Sequence, residues 1–389
     1  MLYLDYSATT PIYEEVIETM SNVLRDYYGN PSSLHGIGNQ AEQLITKARE
    51  ILAHYLRCRL SEIVFTSGGT ESNNLAIAGV ARSYASRGKH LIISRIEHAS
   101  VYECARRLEQ EGWSITYINA DHTGAVDTDK LMQAVRSDTV LVSLMHVNNE
   151  TGRIQPVEHV GRQLQAFPKV LFHVDASQSV GKLNVNPAAF GADLLTGSAH
   201  KFRGPKGAGF LYIREGVSIS PILIGGAQEN GLRAGTENVP AIVGMAKALR
   251  ISEDRREQDT FRLRELRHNL VGMLSEMPEV VISGATEASL MAPHVIHFRL
   301  PGFRTEVLLH ALEERGVCIS TKSACSSGNS GPSRVLLAMG VSESEAKSGM
   351  RVSFSPEHTP MQLEQFCYHL RDVMDKWKPM DSDIHGLRR

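Results

Sequence analysis

No apolar run in this sequence of 389 residues approaches the length of a helical membrane span, which excludes that class of protein. The N-terminus, Met1-Leu2-Tyr3-Leu4-Asp5, lacks the basic stretch and apolar core of a secretory signal. The expectation is a soluble, cytoplasmic protein. Charge of one sign is also scarce. The formal net charge is -2, so neither a nucleic-acid surface nor an anionic-membrane surface is implied. Cysteine is sparse, at Cys58, Cys104, Cys318, Cys325 and Cys367. The number is odd and none sit at metal-type spacing, which argues against a disulfide framework and a zinc site. A thiol that matters here matters as a nucleophile. Internal repeats and low-complexity segments are absent as well.

What is present is ample core material. Hydrophobic residues make up 42% of the chain, enough for two domains. Residues 1–15 read as an extended arm, with Pro11 in the first turn of a helix that carries Glu14 and Glu15 near its positive end. Strand patterns then alternate with helical ones. Strands are expected at 62–66, 89–94, 114–118, 140–147 and 170–174, with further strands at 193–196 and 209–213. Helices are expected at 38–57, 73–87, 99–111, 127–135 and 156–167. Strands joined through helices of this length imply crossover connections and a mainly parallel sheet. After a helix near 239–251 the composition shifts to the charged run Asp254-Arg255-Arg256-Glu257-Gln258-Asp259, which a long polar helix is expected to span. The domain boundary is placed there. The remainder reads as an α+β unit ending in a helix over 360–376, and residues 379–389 read as a poorly ordered tail.

One stretch organises the chemistry: Ser198-Ala199-His200-Lys201, followed by a turn with Pro205 and two glycines. Upstream, the apolar strand His173-Val174-Asp175 ends in a carboxylate. An aspartate at a strand end and a lysine in a glycine-rich turn suit pyridoxal phosphate. The lysine amine forms a Schiff base, and the carboxylate keeps the pyridine nitrogen protonated. Ser67-Gly68-Gly69-Thr70, between a strand and a helix, suits a single phosphate ester, whereas a Walker or dinucleotide loop needs a different pattern. His98 and Asn149 each end a strand on the rim where α/β ligands bind, and Gln178 follows Asp175 closely enough to reach the same ligand. The fork of Arg351 matches a substrate carboxylate. Each feature taken singly also fits a bland role: a surface lysine, an N-capped turn, a structural histidine, a turn asparagine, a helix-capping aspartate, a surface ion pair. Cys325 is less ordinary. Its neighbours Ser323, Ala324, Ser326, Ser327 and Gly328 are small, so it reads as an exposed, mobile and attackable thiol, unlike Cys318 between Val317 and Ile319.

Together these pieces resemble the NifS/IscS-like cysteine desulfurases, class V aminotransferases of PLP fold type I. The resemblance runs from Leu4-Asp5-Tyr6-Ser7-Ala8-Thr9-Thr10-Pro11 to Arg351-Val352-Ser353-Phe354. Between them lie Phe65-Thr66-Ser67-Gly68-Gly69-Thr70-Glu71-Ser72, Glu97-His98, His146-Val147-Asn148-Asn149-Glu150, His173-Val174-Asp175-Ala176-Ser177-Gln178-Ser179, Gly231-Leu232-Arg233-Ala234-Gly235-Thr236 and Ser323-Ala324-Cys325. The resemblance implies an α/β fold. A large domain (16–256) would hold a mainly parallel seven-stranded sheet sandwiched by helices. A smaller α+β C-terminal domain (257–389) would carry the cysteine loop, with the arm (1–15) packed against it.

The resemblance also implies roles. Lys201 would bind the cofactor and move the substrate Cα proton, Asp175 would partner the pyridine nitrogen, and His98 would stack on the ring and transfer protons. Gln178 and Asn149 would serve the ring oxygen and orient substrate, and Gly69, Thr70, Ser198 and His200 would hold the phosphate. Thr236 would reach the cofactor of the other subunit, which implies a homodimer. Arg351, with Asn30, would hold the carboxylate of L-cysteine, and Cys325 would take the sulfur as a persulfide, leaving alanine. The length of the loop from Ser323 to Arg334 matches the subgroup that donates sulfur to protein acceptors. Thr321-Lys322 stand where housekeeping members usually carry Ser-Gly, so Lys322 would lower the thiol pKa or shape acceptor docking. The chain also ends soon after its last helix, so the expected acceptors include a tRNA-thiolation enzyme alongside an iron–sulfur scaffold. Other readings are selenocysteine lyase, another class V activity, or a catalytically silent sulfur-relay partner. No metal, direct nucleic-acid contact or membrane contact is expected.

Overall fold

In a computed structural model of the chain, the structure describes residues 1–321 and 331–377. Cys325, Lys322 and the tail expected at 379–389 lie outside the described residues. Strand β1 (Leu2–Tyr3) precedes helices α1 (Glu14–Asp26) and α2 (Gly36–Leu56). Strands and helices then alternate: β2 (Ile63–Thr66), α3 (Gly69–Tyr84), β3 (His90–Ser94), α4 (Ala99–Gln110), β4 (Ser114–Ile118), α5 (Thr128–Gln133), β5 (Thr139–Ser143), α6 (Val157–Leu164), β6 (Leu171–Asp175), α7 (Pro187–Phe190), β7 (Leu194–Ser198) and β8 (Gly209–Ile213). Helix α8 (Val239–Ser275) leads to β9 (Val281–Ile282), β10 (Val295–Arg299), α9 (Thr305–Glu313), β11 (Val317–Cys318), α10 (Arg334–Ala338), α11 (Glu343–Ala346), β12 (Gly349–Ser353) and α12 (Pro360–Lys376).

The expected seven-stranded sheet is present, in the order β2-β8-β7-β6-β5-β3-β4. Strand β8 runs antiparallel to β2 and β7, and the other pairings are parallel. Its strands are buried on both faces, which explains their near-continuous apolar runs. Phe172 and Val174 of β6 enter a core shared with α1, α2 and α8, while Leu171 enters a second core with α3 and α4 on the opposite face. The chain order reverses between β3 and β5, so the carboxyl ends of β3, β5 and β6 open onto one crevice.

A third core gathers Leu2 and Leu4 of the arm with Leu263, Leu266 and Leu270 of α8 and with residues of β10, β12 and α12. Strand β1 pairs in parallel with β11, and Tyr6 N–H donates to Ser353 O at 3.2 Å. The arm then reaches back, with Thr10 N–H donating to His200 O at 3.0 Å. Two sequence expectations need correction here. Pro11 lies ahead of α1, which begins at Glu14 after Tyr13. The strand expected to reach Val147 is regular only to Ser143; Leu144 and His146 N–H still donate to His173 O and Asp175 O of β6, and the segment to Asn149 stays buried beside the crevice.

The charged run Asp254–Asp259 interrupts nothing. Helix α8 is continuous for 37 residues, roughly 55 Å. It buries Met245 and Leu249 in the first core and Leu266 and Leu270 in the third. Between those stretches, charged side chains such as Arg256 and Glu253, 2.8 Å apart one turn away, keep the helix soluble. Truncating the fully buried Leu270 to Ala should cost about 3 kcal/mol, read as a lowered urea midpoint. An unchanged midpoint would mean that α8 does not hold the third core.

Candidate active site

The crevice, a cavity of about 130 Å³, is lined by Gly69, Thr70, His98, Asn149, Asp175, Gln178, Ser198, His200, Lys201 and Arg351. Ten positions read from the sequence are therefore brought together. Asn30 and Thr236 are not among them. Both are exposed, and Asn30 Oδ1 instead accepts from Ser32 N–H at 2.9 Å in a local turn.

Asp175 ends β6 and is buried. Its Oδ2 accepts from Asn73 Nδ2 at 2.8 Å and its Oδ1 from Ser177 N–H at 2.9 Å, so the carboxylate is fixed. Lys201 follows β7 in a single 3-10 turn. Its Nζ donates to the carbonyls of Ser7 at 2.6 Å and Ala8 at 2.8 Å, both in the arm. Gln178 Nε2 donates to the same Ser7 carbonyl at 3.0 Å. Arg351 arrives from β12 of the third core and is 1% exposed. Its Nη2 pairs with Asp5 Oδ1 at 2.7 Å and its Nη1 donates to Asn149 O at 2.8 Å.

His98 caps α4, with Nδ1 accepting from Ser100 N–H at 3.1 Å. That bond places the ring proton on Nε2. Burial, reinforced by the charges of Lys201 and Arg334, holds His98 below the usual histidine range against the opposing pull of Asp175. Burial first, then Lys201, pushes His200 down to about 3, so it too is neutral and Lys201 is flanked by neutral imidazoles.

At the phosphate loop, Gly68 adopts φ 150°, and a Cβ on Gly69 would approach Ser177 Oγ to 3.1 Å and Ser198 Cβ to 3.4 Å. Gly69 and Thr70, which open the sixteen-residue α3, line the crevice with Ser177 and Ser198, and the first amides of a helix have no partner within it, which suits an anion. Five buried polar atoms of cleft residues have no protein partner: Ser7 Oγ, Asn73 Oδ1, Ser177 Oγ, Gln178 Oε1 and Arg351 Nε. Buried polar atoms normally find partners, so this cluster is built for a polar ligand. An anion cradle, a fixed carboxylate and a lysine amine in one crevice fit pyridoxal phosphate.

Sequence reasoning missed Asp5, Asn73, Ser100 and Ser177 and gave no role to the carbonyls of Ser7 and Ala8. Asn73 had a signal, since it follows Thr70 by three residues on the same helix face.

The chain matches the family described as aminotransferase class-V over residues 2–366. It is 42% identical over 376 residues to a cysteine desulfurase, IscS, of Dictyoglomus turgidum, with 96% of this chain and 95% of that protein covered. It is 40% identical over 377 residues to a putative cysteine desulfurase, IscS 1, of Bacillus subtilis, covering 96% and 99%. Among solved structures, a NifS-like protein superposes with a TM-score of 0.90 at 36% identity, covering 96% of this chain and 99% of that one. A structure described as SspA in complex with cysteine gives a TM-score of 0.80 at 34% identity, covering 92% and 100%.

Glu97, beside His98, generates a pH prediction. It is buried, with Oε1 accepting from Ser94 Oγ at 2.5 Å and Met145 N–H at 2.7 Å, while Oε2 lacks a protein partner. Burial pushes its pKa from 4.5 up to about 7. Between those values the folded state holds a proton that the unfolded chain releases, so stability falls as pH rises through the window. The loss amounts to about 3 kcal/mol. Glu97→Gln should flatten that slope, measured as urea midpoints at about pH 5 and about pH 7.5. A slope as steep as in the unsubstituted protein would assign the pH dependence to another group.

Proposed function

The chain belongs to the class V aminotransferases, among their NifS/IscS-like cysteine desulfurases, and from that membership we propose that it takes sulfur from L-cysteine onto Cys325 and passes it to an acceptor protein. It is a pyridoxal-phosphate enzyme. When bound, the cofactor supplies a ring that spreads the charge left as substrate bonds break. The observation that carries the finer reading is the convergence of Lys201, Asp175, His98 and Arg351 on one crevice.

In this reading Lys201 anchors the cofactor and moves the substrate Cα proton. Asp175, held by Asn73 and Ser177, keeps the ring nitrogen protonated. The α3 amides with Thr70, Ser198 and His200 hold the phosphate, and Ser177 Oγ joins them. Neutral His98 exchanges protons at Nε2, a role its lowered pKa supports. Arg351, buried and pre-oriented by Asp5 and the Asn149 carbonyl, takes the carboxylate of L-cysteine. The presence of cysteine in a similar solved structure supports that substrate.

The Cys325 thiolate then forms an S–S bond to the substrate sulfur as the substrate C–S bond breaks. The carbon keeps the bonding electrons, takes a proton and leaves as alanine, and an external thiol reduces the persulfide to release sulfide. Three other thiols are poor candidates, because burial pushes Cys58 up to about 12, Cys104 to about 11 and Cys367 to about 12.

The acceptor belongs to iron–sulfur cluster assembly or tRNA thiolation. Thr236 serves the partner subunit of a homodimer, and Asn30 assists at the substrate. Exposed apolar side chains such as Tyr28, Leu34 and Ile224, the last two 96% and 91% exposed, support such a dimer. The large and small domains divide near residue 256, supported by the separate cores that α8 joins. Among the described residues no helix is long and apolar enough to cross a membrane, and the proposed location is the cytoplasm.

Incubation with L-cysteine and a thiol reductant should give alanine and sulfide in equal amounts. Cys325→Ala should lower turnover by roughly 100-fold or more with cofactor absorbance intact. Lys201→Ala should lose both. Full turnover in Cys325→Ala would sink the persulfide assignment.

A further inference from the structure

Lys201 also lines a second cavity, shared with Tyr13, Lys182, His294 and Phe354. Lys182 stands in the turn that follows β6 and Asp175. Its Nζ donates to the backbone carbonyl of Lys201 at 2.6 Å. The turn itself is held from α8, where Glu253 accepts from Gly181 N–H at 3.2 Å and Thr260 Oγ1 donates to Lys182 O at 3.0 Å. Gly181, at φ 72°, lets this turn press against the segment that carries Lys201. A Cβ there would meet Phe202 Cβ at 2.9 Å. One lysine is thus locked in place with its amine directed at the backbone of the other.

We propose that Lys182 is a positioning residue for Lys201, fixing the turn from which the reactive amine extends and placing a second positive charge near it. The inference rests on the reading of Lys201 as the cofactor-bearing lysine. The physical reason is the repulsion of two like charges carried by one turn and its neighbour, with the Lys182 amine seated on the Lys201 carbonyl. Burial first, and the Lys201 charge second, bring Lys182 down to about 7. Repulsion between two cations is mutual, so a charge on Lys182 disfavours one on Lys201. The hydrogen bond to the Lys201 carbonyl persists in either state of Lys182, which separates the positioning role from the electrostatic one.

The other ionisable groups facing the pair are fixed by the fold. Helix α8 contributes Glu253, Arg256, Asp259 and Arg267, and His294 precedes β10. Arg203 and Lys206 follow in the turn after Lys201. The crevice side contributes Asp175, His98, His200 and Arg351. Of these, His98, His200 and His294 are held neutral by burial, and Arg203 and Arg256 are paired with Glu357 and Glu253 at 2.8 Å. Lys182 itself is brought down to near neutral pH.

Lys182→Gln keeps a donor for the Lys201 carbonyl and removes the charge. Lys182→Arg keeps both, and Lys182→Met removes both. Holoenzyme of each is titrated with pH by cofactor absorbance, and kcat and KM for cysteine are measured across the same range. Lys182→Gln should move the absorbance midpoint and the acidic limb of kcat upward together, by roughly one pH unit. Lys182→Arg keeps its charge at every pH, so its absorbance midpoint should lie no higher than that of the unsubstituted enzyme. Lys182→Met should add a fall in kcat of roughly tenfold with little change in KM. An unmoved absorbance midpoint in Lys182→Gln overturns the electrostatic role. A kcat in Lys182→Met equal to that in Lys182→Gln overturns the positioning role. Borohydride reduction of the unsubstituted holoenzyme, followed by peptide mass analysis, tests the premise separately. A label on Lys201 upholds it, and a label elsewhere removes the premise and the inference together.

Discussion

The centre of this protein is organised by the cost of burying positive charge. Arg351 reaches the crevice from β12 with almost no exposure, and a guanidinium there needs a counter-charge and acceptors, which meet its Nη1 and Nη2 while Nε stays without a protein partner. Asp5 supplies a carboxylate, and Asn149 supplies a carbonyl from the rim of the large sheet. The pair joins residues 346 positions apart and ties the arm, the third core and the sheet at one point. Removing one partner of such a pair typically costs several kcal/mol, because the other charge stays buried. Asp5 also accepts from Ser320 Oγ at 2.7 Å, so its position is held from both sides.

The arm explains how a lysine amine can sit in the same crevice as that guanidinium. Its residues run from the third core to the turn bearing Lys201 and present backbone carbonyls rather than side chains. Carbonyls stabilise an ammonium group without the net charge of a carboxylate, and they leave the amine able to exchange one partner for another. Asp175 is held apart for a different task by Asn73 and Ser177. The site therefore separates its charges by giving each a dedicated partner from a different element.

Much of this was legible in the sequence, and the reasons differ from element to element. Strand β6 ends at Asp175 as expected, because its apolar run is bounded by a carboxylate and a turn. The glycine pair at the start of α3 announced an anion cradle, because small residues there expose backbone amides. Helix α8 was harder. Its middle reads as a boundary, yet Arg255, Arg256, Glu257 and Gln258 are good helix formers that continue the helix between two buried stretches. The segment 144–149 stays buried and begins with the apolar Leu144 and Met145, so periodicity could not show where the regular part of β5 stops. The carbonyls of Ser7 and Ala8 have no side-chain signature, and the Asp5–Arg351 pair exists only after both ends of the chain fold together.

Helix α8 has a mechanical meaning as well. Between Met245 and Val271 it contains neither proline nor glycine, the residues at which helices most readily kink. A hinge made from a loop rotates about a few dihedral angles, whereas a continuous helix resists as a beam does. With one rigid member fixed in the first and third cores, widening of the crevice must bend that beam or unseat one of its ends. That beam opposes any change in the span between Lys201, beside the first core, and Arg351, which comes from the third.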